Sequence, residues 1–413
     1  MAQLYKFQEQ AIKELLGGKH IVISATGSGK GAMAVLWAQA MCKRKRKNKV
    51  LVITTASKSR TGDFEADADL WCGSSFRTSL SSFSVISWHK LKAWVKSNWG
   101  SLGDWVVIAD EVAKAGAGVS SGMGKAFLQL TARTSNWAGF TATPGDTWLK
   151  FYPYFQACGY VRDKTRFMQR YVKLQTFKGF PEIIGYYYED ELKKFWSKIS
   201  TAPDTRQMMA ELPSEEHKVV EFKKASTYDK TLETRVAPDG TLLDTSGALC
   251  AELRRQCFTK DKQQWVKDFV ENLGDGAVMF YNFTKTGDLL EEIVSKALPK
   301  SARVWRIDGT HHEIPTAATI GKYDIVLCQW QSGSEALNLQ FLHYWVSIEL
   351  CYSYSTAIQA RGRIKRIGQK NHMLYYYLQT KGTIEAAVMR CLKNKGDFAS
   401  DVWLASQGIS FNE

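Results

Sequence analysis

No window of the sequence holds about eighteen consecutive apolar residues, the length a membrane-crossing helix needs. The most apolar stretch, 341–360, is broken by His343, Glu349 and several Ser and Tyr, so a membrane-spanning chain is excluded. The eight cysteines contain no CxxC pair, and the closest two, Cys250 and Cys257, fit no common ligand spacing. That pattern argues against a zinc site or a disulfide framework and predicts reduced, buried thiols. Low-complexity linkers and short-period repeats are also missing. The opening MAQLYKFQEQ has no apolar run behind its charges and does not read as a secretory signal. Acidic residues are the scarcer charge, 41 Asp and Glu against 55 Lys and Arg, and the formal net charge of +14 favours a polyanionic partner.

The 413 residues are 45% hydrophobic and 23% charged, an ordinary globular composition that predicts two domains with some elaboration. Short apolar runs alternate with amphipathic stretches, as in α/β layers built on parallel strands. Five strands are expected in the first half, at HIVISATG (20–27), KVLVITTA (49–56), SFSVISW (82–88), WVVIADE (105–111) and WAGFTATP (137–144). Five more are expected at AVMFYNF (277–283), ARVWRID (302–308), YDIVLCQ (323–329), HYWVSIEL (343–350) and HMLYYYLQ (372–379). The region between the two blocks has helical periodicity. The predicted division is a first lobe over 1–224, with a helical elaboration at 149–215, and a second over 225–413.

The sharpest local signal is SATGSGKG (24–31), lying between a strand and a helix. A polyphosphate needs converging backbone N–H groups with a helix N-terminus behind them. Thr26, Gly27, Ser28, Gly29, Lys30 and Gly31 make such a loop, in which the glycines permit close approach and Lys30 supplies the cation. Gly31 stands where a Ser or Thr hydroxyl would reach Mg²⁺, so the metal is expected to rely on other groups. Asp110 and Glu111 end the fourth strand. A carboxylate there is placed to hold Mg²⁺, and its neighbour to orient or deprotonate an attacking water. Thr141-Ala142-Thr143-Pro144 closes the fifth strand. In the second half, QSGSEALNLQ (331–340) precedes QARGRIKRIGQ (359–369). That later segment carries Gln359, Arg363 and Arg366, and guanidinium groups so spaced suit charge on a transferring phosphoryl group.

The order Gln8, SATGSGKG, DEVA, TATP, a Gly/Asn-rich motif and QxxGRxxRxGQ resembles a superfamily 2 helicase. QARGRIKRIGQ and GTIE (382–385) are most similar to the Swi/Snf-type branch, especially its small bacteriophage members. The resemblance implies two RecA-like parallel-sheet lobes, ATP with Mg²⁺ in a cleft between them, and DNA lying across both. It implies that Gln8 reads adenine, that Lys30 holds the outer phosphates and that Asp110 holds Mg²⁺. Glu111 then serves the water, Arg363 and Arg366 act as fingers from the second lobe, and Gly333 and Asn338 lie in the motif linking cleft to nucleic-acid track. Thr141 and Thr143 fall in the coupling motif, and Lys58, after the second strand, falls where such proteins contact phosphates. Ser87-Trp88-His89 ends the third strand in a similar place. Val112-Ala113 depart from the usual Ala-His or Ala-Asp, which weakens a link to Thr141 and Thr143. The expected protein is a monomeric DNA helicase or duplex translocase of the cytoplasm (the host's, if viral), with replication or recombination proteins as partners. An ATP-dependent switch without turnover and an RNA helicase are the alternatives.

Two conspicuous features carry less. KRKRKNK (43–49) falls where the phosphate-loop helix ends, and cations there favour the negative end of the helix dipole. Most of the fourteen tryptophans are expected in the core, and His311-His312 has no spaced partner for a metal.

Overall fold

The computed structural model describes residues 3–407 and 409, apart from 57, 117–120, 146, 178–179 and 334–336. It divides into two compact units, residues 1–209 and 210–413, each a RecA-like α/β lobe.

In the first unit the strands are β1 (Ile21–Ile23), β2 (Lys49–Thr54), β3 (Ser82–Ser87), β4 (Trp105–Asp110) and β5 (Trp137–Thr141). An antiparallel pair follows, β6 (Val172–Phe177) with β7 (Phe180–Tyr186), and then the short β8 (Ser200–Thr201). The sheet runs β3-β2-β4-β5-β1-β8, with every pairing parallel. Because the strands are parallel, β1, β2, β4 and β5 all end at the same edge. Alternate residues of β4 feed opposite faces: Trp105, Val107 and Ala109 join one apolar cluster, Val106 and Ile108 the other. The second cluster is closed by α1 (Lys6–Leu16), α2 (Lys30–Lys45) and α4 (Asp63–Cys72), with the one-turn α3 (Lys58–Thr61) between β2 and α4.

The second unit repeats the plan with β9 (Glu215–Phe222), β10 (Ala277–Tyr281), β11 (Val304–Ile307), β12 (Ile325–Gln329), β13 (Tyr344–Ser347) and β14 (Met373–Thr380). Their order is β11-β12-β10-β13-β14-β9, again parallel throughout. Helices α5 (Lys260–Glu271), α6 (Thr284–Ala297), α7 (Tyr354–Arg361) and α8 (Ile384–Lys393) belong to this unit. Between α5 and α8 a buried ion pair joins Lys262 to Glu385 of the GTIE segment, with Nζ–Oε distances of 2.7 and 2.9 Å.

All ten expected strands form. The region at 149–215 is not wholly helical, since β6 and β7 pair within it. The boundary expected at 224 lies beyond β9, which hydrogen-bonds along its whole length to β14 and so belongs to the second sheet. All eight cysteines are free, five of them buried. Trp99 stands out as exposed, whereas Trp37, Trp88, Trp105, Trp137, Trp305, Trp330 and Trp345 are core residues. Residues Lys43–Arg46 form the exposed end of α2, with Arg44 donating to the Leu16 carbonyl at 2.6 Å. His311 is tied to Asp308 through its backbone N–H at 2.9 Å, and the described residues hold no cluster of three or more His, Cys, Asp or Glu fit for a metal. Among the described residues, no helix is long and apolar enough to cross a membrane.

Candidate nucleotide site

β1 is short because the chain turns immediately into the glycine loop. Gly27 and Gly29 have φ of 78° and 75°, a left-handed conformation that costs glycine little. Gly29 also caps α2, and having no side chain it leaves the first-turn N–H groups of the helix for an anion. Lys30 folds back over the loop, its ammonium donating to the carbonyls of Ser24 and Ala25 at 3.1 and 3.0 Å. Ser24 and Ser28 hydroxyls bond at 2.6 Å beneath it, while Thr26 is half-buried on the rim. Gln8, 2% exposed, approaches from α1 and donates its amide to the Ser28 carbonyl at 2.9 Å. Gln8, expected to read adenine, here braces the glycine loop.

The carboxylate pair lies at the same sheet edge. Asp110 is buried at the end of β4, where its Oδ2 accepts from the Thr54 hydroxyl at 2.7 Å and the Lys58 ammonium at 2.9 Å. Burial pushes a carboxyl upward, but the Lys58 charge and the Thr54 hydroxyl outweigh it and hold Asp110 below its ordinary value. Asp110 is therefore ionised at neutral pH. Glu111 follows with φ 48°, an unusual conformation for a residue with a side chain. The bond from Val112 N–H to the Phe140 carbonyl, 3.1 Å, fixes the chain just beyond it. Strain held by its surroundings in this way concentrates at functional positions. The departure at Val112-Ala113 has a structural counterpart: Val112 is buried against Gly139, where an added Cβ would come within 2.9 Å of its Cγ1. The backbone thus still joins the carboxylate segment to β5. From β5, the Thr141 carbonyl accepts from Ser24 N–H at 3.0 Å, and the Thr141 hydroxyl from Thr143 N–H at 3.1 Å. The threonine segment is in this way hydrogen-bonded to the start of the phosphate loop.

Lys58 was expected to meet a nucleic-acid phosphate; its ammonium sits on Asp110 instead. Trp88 does not form an open contact surface. It is 1% exposed and its indole N–H braces the Asp110 carbonyl at 2.8 Å. Thr54 had no motif to mark it and became visible only through this packing.

In the second unit, Gln359 is half-buried on α7, and Arg363 and Arg366 lie on the turns that follow it. Arg363 is buried at 8% exposure, and its carbonyl accepts from Leu339 N–H at 3.1 Å. Arg366 donates to the Asn338 side chain at 2.5 Å and the Leu337 carbonyl at 3.1 Å. Asn338 and the arginine segment are therefore one hydrogen-bonded unit. Gly333 ends the short helix Trp330–Gly333, and the next part of that motif, 334–336, lies outside the described residues. Gln369, which closes the arginine segment, is buried and bonds the carbonyls of Leu342 and Ile364 at 2.8 and 3.2 Å, a structural part.

No protein-family model matches the chain. It is similar in part to the TATA-binding protein-associated factor mot1 of Aspergillus fumigatus, 29% identical over 133 residues that cover 30% of this chain and 7% of that protein. It is also similar to the DNA repair protein RAD5 of Cryptococcus neoformans, 28% identical over 126 residues, 29% of this chain and 10% of that protein. With the uncharacterized ATP-dependent helicase YqhH of Bacillus subtilis it shares 33% identity over 70 residues, 17% of this chain and 13% of that protein. The chain thus matches at most 13% of the length of any of these three relatives.

Proposed function

We propose that this protein is an ATP-driven motor of the superfamily 2 helicase class, Swi/Snf-type, that couples hydrolysis to movement along duplex or branched DNA. The observation that carries the reading is the convergence at one sheet edge of a glycine-built phosphate loop, Lys30 and the Asp110-Glu111 pair. Partial similarity to a protein named as an ATP-dependent helicase and to one named for DNA repair supports ATP and DNA as ligands. The net charge of +14 supports a polyanionic track. The likeness to bacteriophage members, a monomeric state, a cytoplasmic location and service to replication or recombination proteins belong to the same proposal.

In this reading the loop N–H groups and Lys30 hold the outer phosphates, and Gln8 sets the loop and meets the base. Asp110 holds Mg²⁺, which when bound neutralises charge on the phosphate oxygens. Glu111 orients the attacking water and accepts its proton. Arg363 and Arg366, with Gln359, stabilise charge on the transferring phosphoryl group. Asn338 and Gly333, bonded or adjacent to that segment, pass the nucleotide state toward DNA, as do Thr141 and Thr143 in the first unit. Lys58, which pairs with Asp110 at 2.9 Å, is the candidate contact to the DNA backbone.

Gly31 favours a second reading, an ATP-dependent nucleic-acid binder without turnover. Phosphate release measured with duplex DNA, forked DNA, RNA and no nucleic acid separates the two. Stimulation by DNA supports the motor. Stimulation by RNA alone moves the substrate to RNA, and ATP binding without phosphate release leaves the switch. Strand displacement compared with triplex displacement then tells separation from tracking.

A further inference from the structure

Gly31 leaves room at the start of α2, and the structure shows what fills it. A Cβ built on Gly31 would stand 2.0 Å from Asp67 Oδ2 and 3.1 Å from its Cγ. A carboxylate therefore occupies the space a serine or threonine side chain would need, one residue past Lys30. Packing delivers it there. Phe64 and Ala68 of α4, 3% and 0% exposed, bury in the same apolar cluster as Met33, Ala34 and Trp37 of α2. Asp67 comes three residues after Phe64 and one before Ala68, so it rides the edge of that buried stripe and is itself half-buried. No side chain larger than glycine's fits at 31 while Asp67 keeps this position. Gly31 and Asp67 are sterically matched.

The charge of this group is informative. A carboxylate beside a loop built for phosphates repels them unless a cation lies between. A hard divalent cation accepts carboxylate oxygen as readily as hydroxyl oxygen. Building on the nucleotide-site reading above, we propose that Asp67 is a magnesium ligand of this protein, reaching from α4 to supply the oxygen that Gly31 cannot. The Mg²⁺ site then draws on Asp110 from β4 and Asp67 from α4.

The test uses the full chain with ADP, which is not hydrolysed, and Mn²⁺ as the probe, its binding followed by electron paramagnetic resonance. Asp67→Ala and the near-isosteric Asp67→Asn are each expected to weaken Mn²⁺ binding to the protein–ADP complex on the order of tenfold, the effect of losing one outer or inner ligand. ADP affinity in EDTA is expected to stay level or to rise, because a repulsive charge has gone. Gly31→Ser added to Asp67→Ala should recover Mn²⁺ affinity by offering the hydroxyl from the other side. Mn²⁺ curves of Asp67→Asn that superimpose on the parent overturn the assignment while leaving the nucleotide site intact. Equal loss of ADP affinity with and without metal also overturns it, since Asp67 then only shapes the loop. A parent that binds no ADP in either condition overturns the nucleotide-site reading, and this one with it.

Discussion

The Lys262–Glu385 pair gives the sharpest stability prediction, and it decides what the glutamate of GTIE does. Both side chains are buried, at 0% and 2% exposure. Lys262 donates to both carboxylate oxygens and Glu385 also accepts from Thr380 N–H at 2.8 Å. Lys262→Met leaves a buried carboxylate with one backbone donor, and breaking such a pair costs about 3–5 kcal/mol. For a unit of some two hundred residues, with each kcal/mol worth about 2–4 °C, the second unit's unfolding transition should fall by roughly 6–20 °C. Replacing both partners, Lys262→Met with Glu385→Leu, should recover most of the loss, because no charge is stranded. Differential scanning calorimetry of the parent, both single variants and the double variant closes the cycle. Single variants that melt with the parent, or a double variant worse than the sum of the two, would refute the reasoning.

Three further outcomes follow from the geometry. Arg363→Ala should cut DNA-stimulated turnover at least tenfold while leaving ATP affinity within about threefold of the parent, as steady-state kinetics beside equilibrium nucleotide binding can show; normal turnover removes Arg363 from the reaction. Gly139→Ala forces a methyl group against Val112 and should cost about 1–3 kcal/mol by overpacking. It should also lower hydrolysis, because the displaced segment carries Glu111; denaturant unfolding beside phosphate release checks both. Glu349 is buried, accepts from the N–H groups of Asn282 and Phe283 and the Thr286 hydroxyl, and burial pushes its carboxyl above the ordinary value. Its contribution is full below the unfolded carboxylate value and is lost as pH rises through the raised folded value. Glu349→Gln should flatten that part of the second unit's stability–pH curve, and an unchanged slope would place the titration elsewhere.

The strands were legible where burial on both faces made apolar runs, as in Val106–Ala109 and Ile325–Cys328. β9 was not, because EEHKVVEF is an edge strand largely exposed along its length. It needs only β14 beside it, and its charges hide the strand period. β8 is two residues long, too short for any pattern. The glycine loop was readable because its signals are local, with glycine conformation, lysine and helix start in one run. Asp67 was invisible for the opposite reason: its place beside Gly31 depends on how α4 packs on α2, and no spacing along the chain records that. The ion pair of Lys58 was invisible for a related reason: the neighbouring strand puts Asp110 within 2.9 Å, and no spacing along the chain records that.

The central claim is that Lys30 and Glu111 serve one hydrolytic site in different roles. The direct measurement is ATP binding and phosphate release, with duplex DNA present, for the parent, Lys30→Ala and Glu111→Gln. The parent should hydrolyse ATP, Lys30→Ala should lose affinity, and Glu111→Gln should bind ATP near the parent's affinity but turn it over at least a hundredfold more slowly. Near-parental turnover in both variants would contradict that claim.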